Sequence, residues 1–194
     1  MRTNRRFTVG FRRKREGKTN YKNRLKLLLG GKPRLVVRCS SKHVAARIIE
    51  FEAVGDKVLA SAHTANLKKL GWKGNCGNIC AAYLVGLMIA KRAIKANVTE
   101  AVLDIGMQTS VGGSRLYAVL KGALDGGLKI KHSKDVLPEN DRIMGKHISN
   151  YAKMLKEKDG ERYNKLFSAY LKNGLNPEDL TSHFEVIKKK VEEK

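Results

Sequence analysis

Fourteen lysines and arginines and one acid, Glu16, fall in the first 38 residues, a net +13 of the +22 carried by the whole 194-residue chain. The run Arg5-Arg6-Phe7-Thr8-Val9-Gly10-Phe11-Arg12-Arg13-Lys14-Arg15 opens this segment, and Lys18, Lys22, Arg24 and Lys26 continue it. Like charges at this density repel one another and cannot be buried unpaired, so the segment is excluded from any core and needs a polyanion to neutralise it. Arginine dominates, and a guanidinium grips phosphate through two parallel hydrogen bonds, so a nucleic-acid backbone suits the arm. A membrane-binding segment would pair lysines with an amphipathic apolar helix. Nucleic acid is therefore the expected partner, and a membrane is not.

The remaining chain is long enough for one sizeable core. A hydrophobic content of 42% belongs to a globular protein rather than a disordered one. The longest apolar run, Ile79 to Ala90, falls well short of the ~20 residues that a spanning helix needs. The charged N-terminus has no apolar region behind it, so a secretory signal is not expected. Its first twelve residues lack the apolar stripe of a mitochondrial presequence. The three cysteines, Cys39, Cys76 and Cys80, are an odd number and imply no disulfide framework, so a cytoplasmic location is expected.

Three segments follow from composition and periodicity. Residues 1–33 form the basic arm, closed by the turn Gly30-Gly31-Lys32-Pro33. Within it Tyr21, Leu25, Leu28 and Leu29 have helical spacing, which predicts a short helix over 21–29, while Met1 to Lys18 is expected to be extended. Residues 34–140 read as an α/β body. Strands are predicted over 34–39, 43–53 and 57–63, with Val54-Gly55-Asp56 as a reversal, giving an antiparallel meander. Alternation puts Leu35, Val37 and Cys39 on one face of the first strand, and Arg34, Val36 and Arg38 on the other. In the second strand Ala45, Arg47 and Ile49 share a face. A sheet with one apolar and one arginine-bearing face could present those arginines to RNA. A helix over 77–96, apolar nearly all round, is followed by a buried strand over 100–106, a helix over 114–127 and a short strand over 128–130. Residues 141–194 read as a helical extension, with helices over 144–158 and 160–171 and a third capped by Asn176 before Pro177. From Tyr151 on, 10 Lys and Arg stand against 8 Asp and Glu, so the extension is not a second polyanion arm and packs on the body or on a partner.

No catalytic constellation stands out. Cys76 and Cys80 lack the two close ligand pairs of a zinc site and read as small buried hydrophobes. None of the five histidines lies in a metal-helix pattern or beside a nucleophile in a strained turn. His43, after Ser40-Ser41-Lys42, can either touch phosphate or cap a turn. Asp104, at the end of an apolar strand, is where a nuclease would hold magnesium, but Glu50 and Glu52 form no clear set with it, so a structural use is favoured. Gly112-Gly113-Ser114-Arg115 leads into a helix and lacks both the P-loop and the dinucleotide spacing. A plain turn with a serine cap is favoured over a phosphate site. Trp72, among glycines, a lysine and an asparagine, either stacks on a base or packs on the body, and packing is slightly favoured.

Several blocks resemble a known family. Arg12-Arg13-Lys14-Arg15-Glu16, Thr19-Asn20-Tyr21, Arg24-Leu25-Lys26-Leu27-Leu28 and Gly30-Gly31-Lys32-Pro33-Arg34-Leu35-Val36-Val37-Arg38 come in the order found in the archaeal large-subunit ribosomal protein of the L-eighteen family, whose eukaryotic relative is ribosomal protein L-five. So do Ser41-Lys42-His43, Leu59-Ala60-Ser61-Ala62-His63-Thr64, Leu70-Gly71-Trp72, Gly77-Asn78, Ala82-Tyr83-Leu84, Ala101-Val102-Leu103-Asp104-Ile105-Gly106 and Gly122-Ala123-Leu124-Asp125-Gly126-Gly127-Leu128. Cys80-Ala81 departs from the pattern, where a proline or another small residue is expected. The likeness spans about residues 5 to 150, and the helical tail resembles the archaeal form more loosely.

The resemblance implies a non-enzymatic protein of the large ribosomal subunit that binds 5S rRNA and attaches it to 23S rRNA in the central protuberance, beside other large-subunit proteins. It implies an α/β body of the translational-machinery type, related in topology to ribonuclease H-like folds but without their catalytic acids, and no cofactor or metal. The expected RNA contacts are Arg5, Arg6, Arg12, Arg13, Lys14, Arg15, Lys18, Asn20, Tyr21, Lys22 and Arg24 in the arm, Lys32, Arg34 and Arg38 along the first strand, Ser41, Lys42 and His43 at its end, and Arg47, Trp72 and Asn78 beyond. The alternatives are a metal-dependent nuclease on a ribonuclease H-like fold and a nucleic-acid compaction protein. The second fits the charge but not the large α/β body.

Overall fold

Two short helices in the arm precede the sheet. The computed structural model describes residues 8–193. Helix α1 (Arg12–Arg15) is a single turn whose side chains are all exposed, so its charge stays solvated. This corrects the expectation of an extended chain up to Lys18. Helix α2 (Tyr21–Leu28) forms where the leucine spacing predicts it, and the Asn20 side chain caps it by accepting from the Asn23 N–H at 3.1 Å.

Strands β1 (Arg34–Cys39), β2 (Val44–Glu50) and β3 (Lys57–His63) form the antiparallel meander. Helices α3 (Thr64–Lys68) and α4 (Ile79–Lys95) follow, then β4 (Val102–Asp104) and α5 (Arg115–Asp125). The sheet order is β3-β2-β1-β4, with β4 parallel to β1. This is a mixed α/β sheet. Leu35, Val37, Val44, Ala46 and Ile48 on its inner face are fully buried, β2 packing under α4 and β1 under α5. Along α4, Cys80 to Ala90 are all buried, as an apolar circumference requires. Each fully buried leucine or isoleucine, such as Leu84, Leu87 and Ile89, contributes roughly 1.5–3 kcal/mol. Helices α4 and α5 meet backbone to backbone. A Cβ on Gly86 would lie 2.1 Å from the Val119 carbonyl oxygen, and one on Gly122 would lie 2.2 Å from that of Tyr83. Only glycine permits this approach.

Three expected strands shrink. The one over 43–53 is confined to Val44–Glu50, and the chain leaves the sheet at the exposed Phe51. Residues 100–106 yield three strand residues, because the Gln108 side chain takes over as the partner of β1. It donates to the Cys39 carbonyl at 2.6 Å and accepts from the Cys39 N–H at 3.4 Å. Residues 128–130 make only one bridge, Glu100 to Lys129, although Leu128 and Ile130 are buried as expected. Helix α3 has no anticipated signal, since its cap is the ring of His63, whose Nδ1 accepts from the Ala65 N–H at 3.0 Å.

The tail is more broken than its periodicity predicts. Short α6 (Asn140–Met144) is separated from α7 (Lys146–Lys158) by Gly145 in the left-handed region. The expected helix over 160–171 is split into α8 (Gly160–Leu166) and α9 (Ser168–Lys172) around buried Phe167. Asn176 precedes a 3-10 turn, Pro177–Asp179, that leads into α10 (Leu180–Glu192), and its side chain caps no backbone group. The tail packs on the body. Phe184 of α10 lies against Tyr83 with ring centroids 5.8 Å apart, and His183 stacks on Trp72 at 5.2 Å.

Candidate nucleic-acid interface

The register decides what the outer sheet face presents. Arg38 pairs with Ala45, Val36 with Arg47 and Arg34 with Ile49, so all six stand on the face away from α4. Helix α2 lies over this face, because Arg24 reaches Asp56 in the β2–β3 turn at 2.8 Å. From there an alternating chain of charges crosses the sheet. Arg34 donates through Nη2 to Asp56 at 2.8 Å and through Nη1 to Asp104 at 2.9 Å. Arg38 donates to Asp104 Oδ1 at 3.2 Å and to the Asp104 carbonyl at 2.9 Å. The Gly106 N–H completes the shell of Asp104 Oδ1 at 2.8 Å. The Arg38 guanidinium lies on the Gly106 backbone, where a Cβ would be 2.7 Å from its Cζ.

Three arginines and two aspartates leave this string cationic. The Arg24 hydrogen bond, aided by Arg34, holds the Asp56 carboxyl below the usual carboxylate range, and the Asp56 bond in turn raises Arg24. Asp104 is 7% exposed, and its side chain is held by guanidinium groups and a backbone amide. It is thus a keystone of the ion string, which favours the structural reading of this residue. Among the described residues, no group of three or more His, Cys, Asp or Glu is placed to hold a metal ion.

The expected contacts divide into three groups. Arg12, Arg13, Lys14, Arg15, Lys18 and Lys22 are exposed along the arm. Arg13 donates to Thr19 Oγ1 at 2.9 Å and Lys18 pairs with Glu16 at 2.8 Å, surface contacts that a phosphate can displace. Tyr21 is half-buried, with the Phe11 ring 5.0 Å away. Lys32 pairs with Glu100, and the hydrogen bond from Lys32 lowers that carboxyl. Ser41 and Lys42 form the exposed tip of the β1–β2 hairpin, and Arg38 and Arg47 project from the sheet.

The second group reaches the surface poorly. Arg34 is 3% exposed, and its two terminal nitrogens are committed to aspartates, so it positions its neighbours rather than meeting solvent. Trp72 is also 3% exposed, with Nε1 donating to the Asn75 carbonyl at 3.2 Å. It packs against His183, the reading slightly favoured over base stacking, and its burial leaves no ring face for the RNA contact also expected of it. Asn78 is the N-cap of α4, accepting from the Ala81 N–H at 2.8 Å. His43 places Nδ1 3.1 Å from Thr64 Oγ1, and its own N–H bonds Ser40 Oγ at 3.0 Å, which favours the turn-closing role. The third group, Arg5 and Arg6, lies outside the described residues.

Sequence reasoning missed the roles of Asp56 and Arg115. Asp56 reads as ordinary turn composition, and nothing local marks it as the anchor of α2. Arg115 donates through Nη1 to the Ser40 and Gly77 carbonyls, both at 2.9 Å, and so ties the hairpin tip to the loop before α4. Ser114 sits at the α5 N-cap as expected, but its side chain makes no capping bond. Cys76 and Cys80 lie in the core, and burial pushes the Cys80 thiol up to about 12.

The arm and the arginine-bearing sheet face thus lie together on the side of the sheet away from α4, while the exposed hairpin tip sits at the end of β1, tied to the loop before α4. Among the described residues, no helix is long and apolar enough to cross a membrane. The model of a protein family described as ribosomal large subunit proteins 60S L5 and 50S L18 matches residues 5–101 and 95–133. The match runs through the arm, all four strands, α4 and α5, and stops before α6.

Proposed function

Because the chain belongs to the family of ribosomal large subunit proteins 60S L5 and 50S L18, we propose that its cationic face is the surface that holds 5S rRNA and attaches it to 23S rRNA in the central protuberance. The chain is a structural constituent of the large ribosomal subunit and binds rRNA. The observation that carries the finer reading is the one-sided arrangement. Arg38 and Arg47 stand on the side of the sheet that α4 leaves open, and the arm cations Arg13 and Lys18 line the same side. Their guanidinium and ammonium groups neutralise phosphates, and the packed α4–α5 layer behind them gives the arm a rigid base. Arg24 and Arg34 act beneath this surface by tying α2 to the sheet through Asp56.

The role is non-enzymatic. Asp104, the residue on which the nuclease alternative depends, serves two arginines. The antiparallel meander followed by a parallel β4 supports the ribonuclease H-like type for the body. In this reading residues 1–33 are the RNA-engaging arm, 34–140 the α/β body and 141–194 a helical brace, with neighbouring large-subunit proteins as further partners. The test is filter binding of the full chain to 5S rRNA and to a control RNA of the same length across a salt series. If about 6–10 phosphates are neutralised, affinity for 5S rRNA should fall by roughly 10³–10⁵ between 50 and 200 mM salt, a scale taken from duplex DNA. A flat salt response, or equal affinity for the control RNA, contradicts the proposal.

A further inference from the structure

A cleft of about 680 Å³ separates α2 from the outer sheet face. Its size falls in the ~300–1,000 Å³ range of small-ligand sites. Val36 and Ile49 form the apolar part of its floor, beside the ion pairs of Arg34 with Asp56 and Asp104. Both apolar residues are half-buried, project away from α4 and stand apart from the packed core. Tyr21 and Leu27 of α2 line it as well, and Phe11 braces the Tyr21 ring. Arg38 and Lys18 stand at the rim, each with its side chain about half exposed or more. An ion-pair network alone would need no apolar floor. A surface that merely tracks a duplex backbone would need no recess, since a paired base cannot enter one.

We propose that the cleft receives one unstacked nucleotide of the bound RNA, its base against Val36 and Ile49 beside Tyr21 and its phosphate at Arg38 and Lys18. The apolar floor complements the face of a base, and the cationic rim complements its phosphate. Aromatic and apolar contact with a splayed base is the common route by which proteins read single-stranded RNA. This inference rests on the RNA-binding reading above and deepens it.

The test titrates the full, isotopically labelled chain with adenosine 5′-monophosphate, and with ribose 5-phosphate as the base-free control, followed by amide NMR. The expected result is saturable shifts at Val36, Ile49 and Gly106, with the nucleotide binding about tenfold more tightly than the sugar phosphate, the scale of one base contact. Val36→Thr with Ile49→Thr keeps β-branched residues in the strands. It should erase the nucleotide's advantage while leaving ribose 5-phosphate binding unchanged, whereas Arg38→Gln should weaken both. Leu27→Ser, on the arm helix, serves the same purpose if the double variant fails to melt cooperatively. Equal affinity for the two ligands, or shifts scattered along the arm, overturns the proposal. Salt-dependent binding of 5S rRNA would then leave the broader reading standing, with RNA held by phosphates alone. Loss of that rRNA binding in the unaltered chain would strike the broader reading itself.

Discussion

Replacing Asp104 by Asn tests whether the ion string holds the outer sheet face. The substitution keeps the shape and leaves the Gly106 N–H an oxygen to bond, so what it removes is the charge between Arg34 and Arg38 and the second oxygen, which accepts from Arg34. Arg34 is 3% exposed, and its remaining ion-pair partner is Asp56, on the far side of the guanidinium. Removing one partner of a buried pair costs about 3–5 kcal/mol, because the other charge stays in the interior uncompensated. The Arg38 contact adds little, since that side chain is 48% exposed and screened by water. A chain of this size loses about 2–4 °C of melting temperature per kcal/mol, so Asp104→Asn should melt about 6–20 °C lower by circular dichroism at pH 7. The companion variant Arg34→Met with Asp104→Leu removes both buried charges and should recover most of the loss. A drop of less than about 3 °C for Asp104→Asn would refute the reasoning. The carboxylate would then be solvated, and the string an incidental surface feature.

Three further outcomes follow from other parts of the molecule. Gly86→Ala forces a Cβ against the Val119 carbonyl, so α4 and α5 must separate, and the urea midpoint should fall by the equivalent of about 1–3 kcal/mol or more; an unchanged midpoint would mean the helices cross farther apart. Deleting residues 1–18 removes exposed arm and no core residue among those described, so the body should still melt cooperatively near the full-length temperature, while rRNA binding weakens and its salt slope becomes shallower. An unfolded product would place the arm in the core, and an unchanged salt slope would put the RNA site elsewhere. His63 is held below the usual imidazole range by burial, with His43 and Arg47 adding to the shift, and its Nδ1 must stay unprotonated to cap α3. The unfolded chain therefore binds this proton more readily than the folded one, so its contribution to stability is present above about pH 6.5 and is lost as pH falls. His63→Asn keeps a capping oxygen and should flatten urea midpoints measured between pH 5 and 7.5; an unaltered pH slope would assign the effect to other groups.

Much of the body was legible in the chain itself. The bounds of β1 and β3, the buried circumference of α4 and the alternation of Leu35 and Val37 against Arg34 and Arg38 follow from side-chain periodicity, which is local. The excess of positive charge in the first 38 residues by itself demanded a polyanionic partner, because no fold can bury that much unpaired charge. What a base-pairing-like register across strands does, no single segment encodes. Arg34 and Arg38 share a face and a sequence context, yet one is sunk between Asp56 and Asp104 and the other projects at the rim. Their difference is set by residues some 20 to 70 positions away. The same holds for β4, shortened by a glutamine side chain, and for Trp72, covered by a helix that begins at Leu180. Periodicity tells a residue which way to face. Only the assembled fold supplies the charge, ring or backbone that waits there, and that encounter separates a buried anchor from an exposed side chain at the rim.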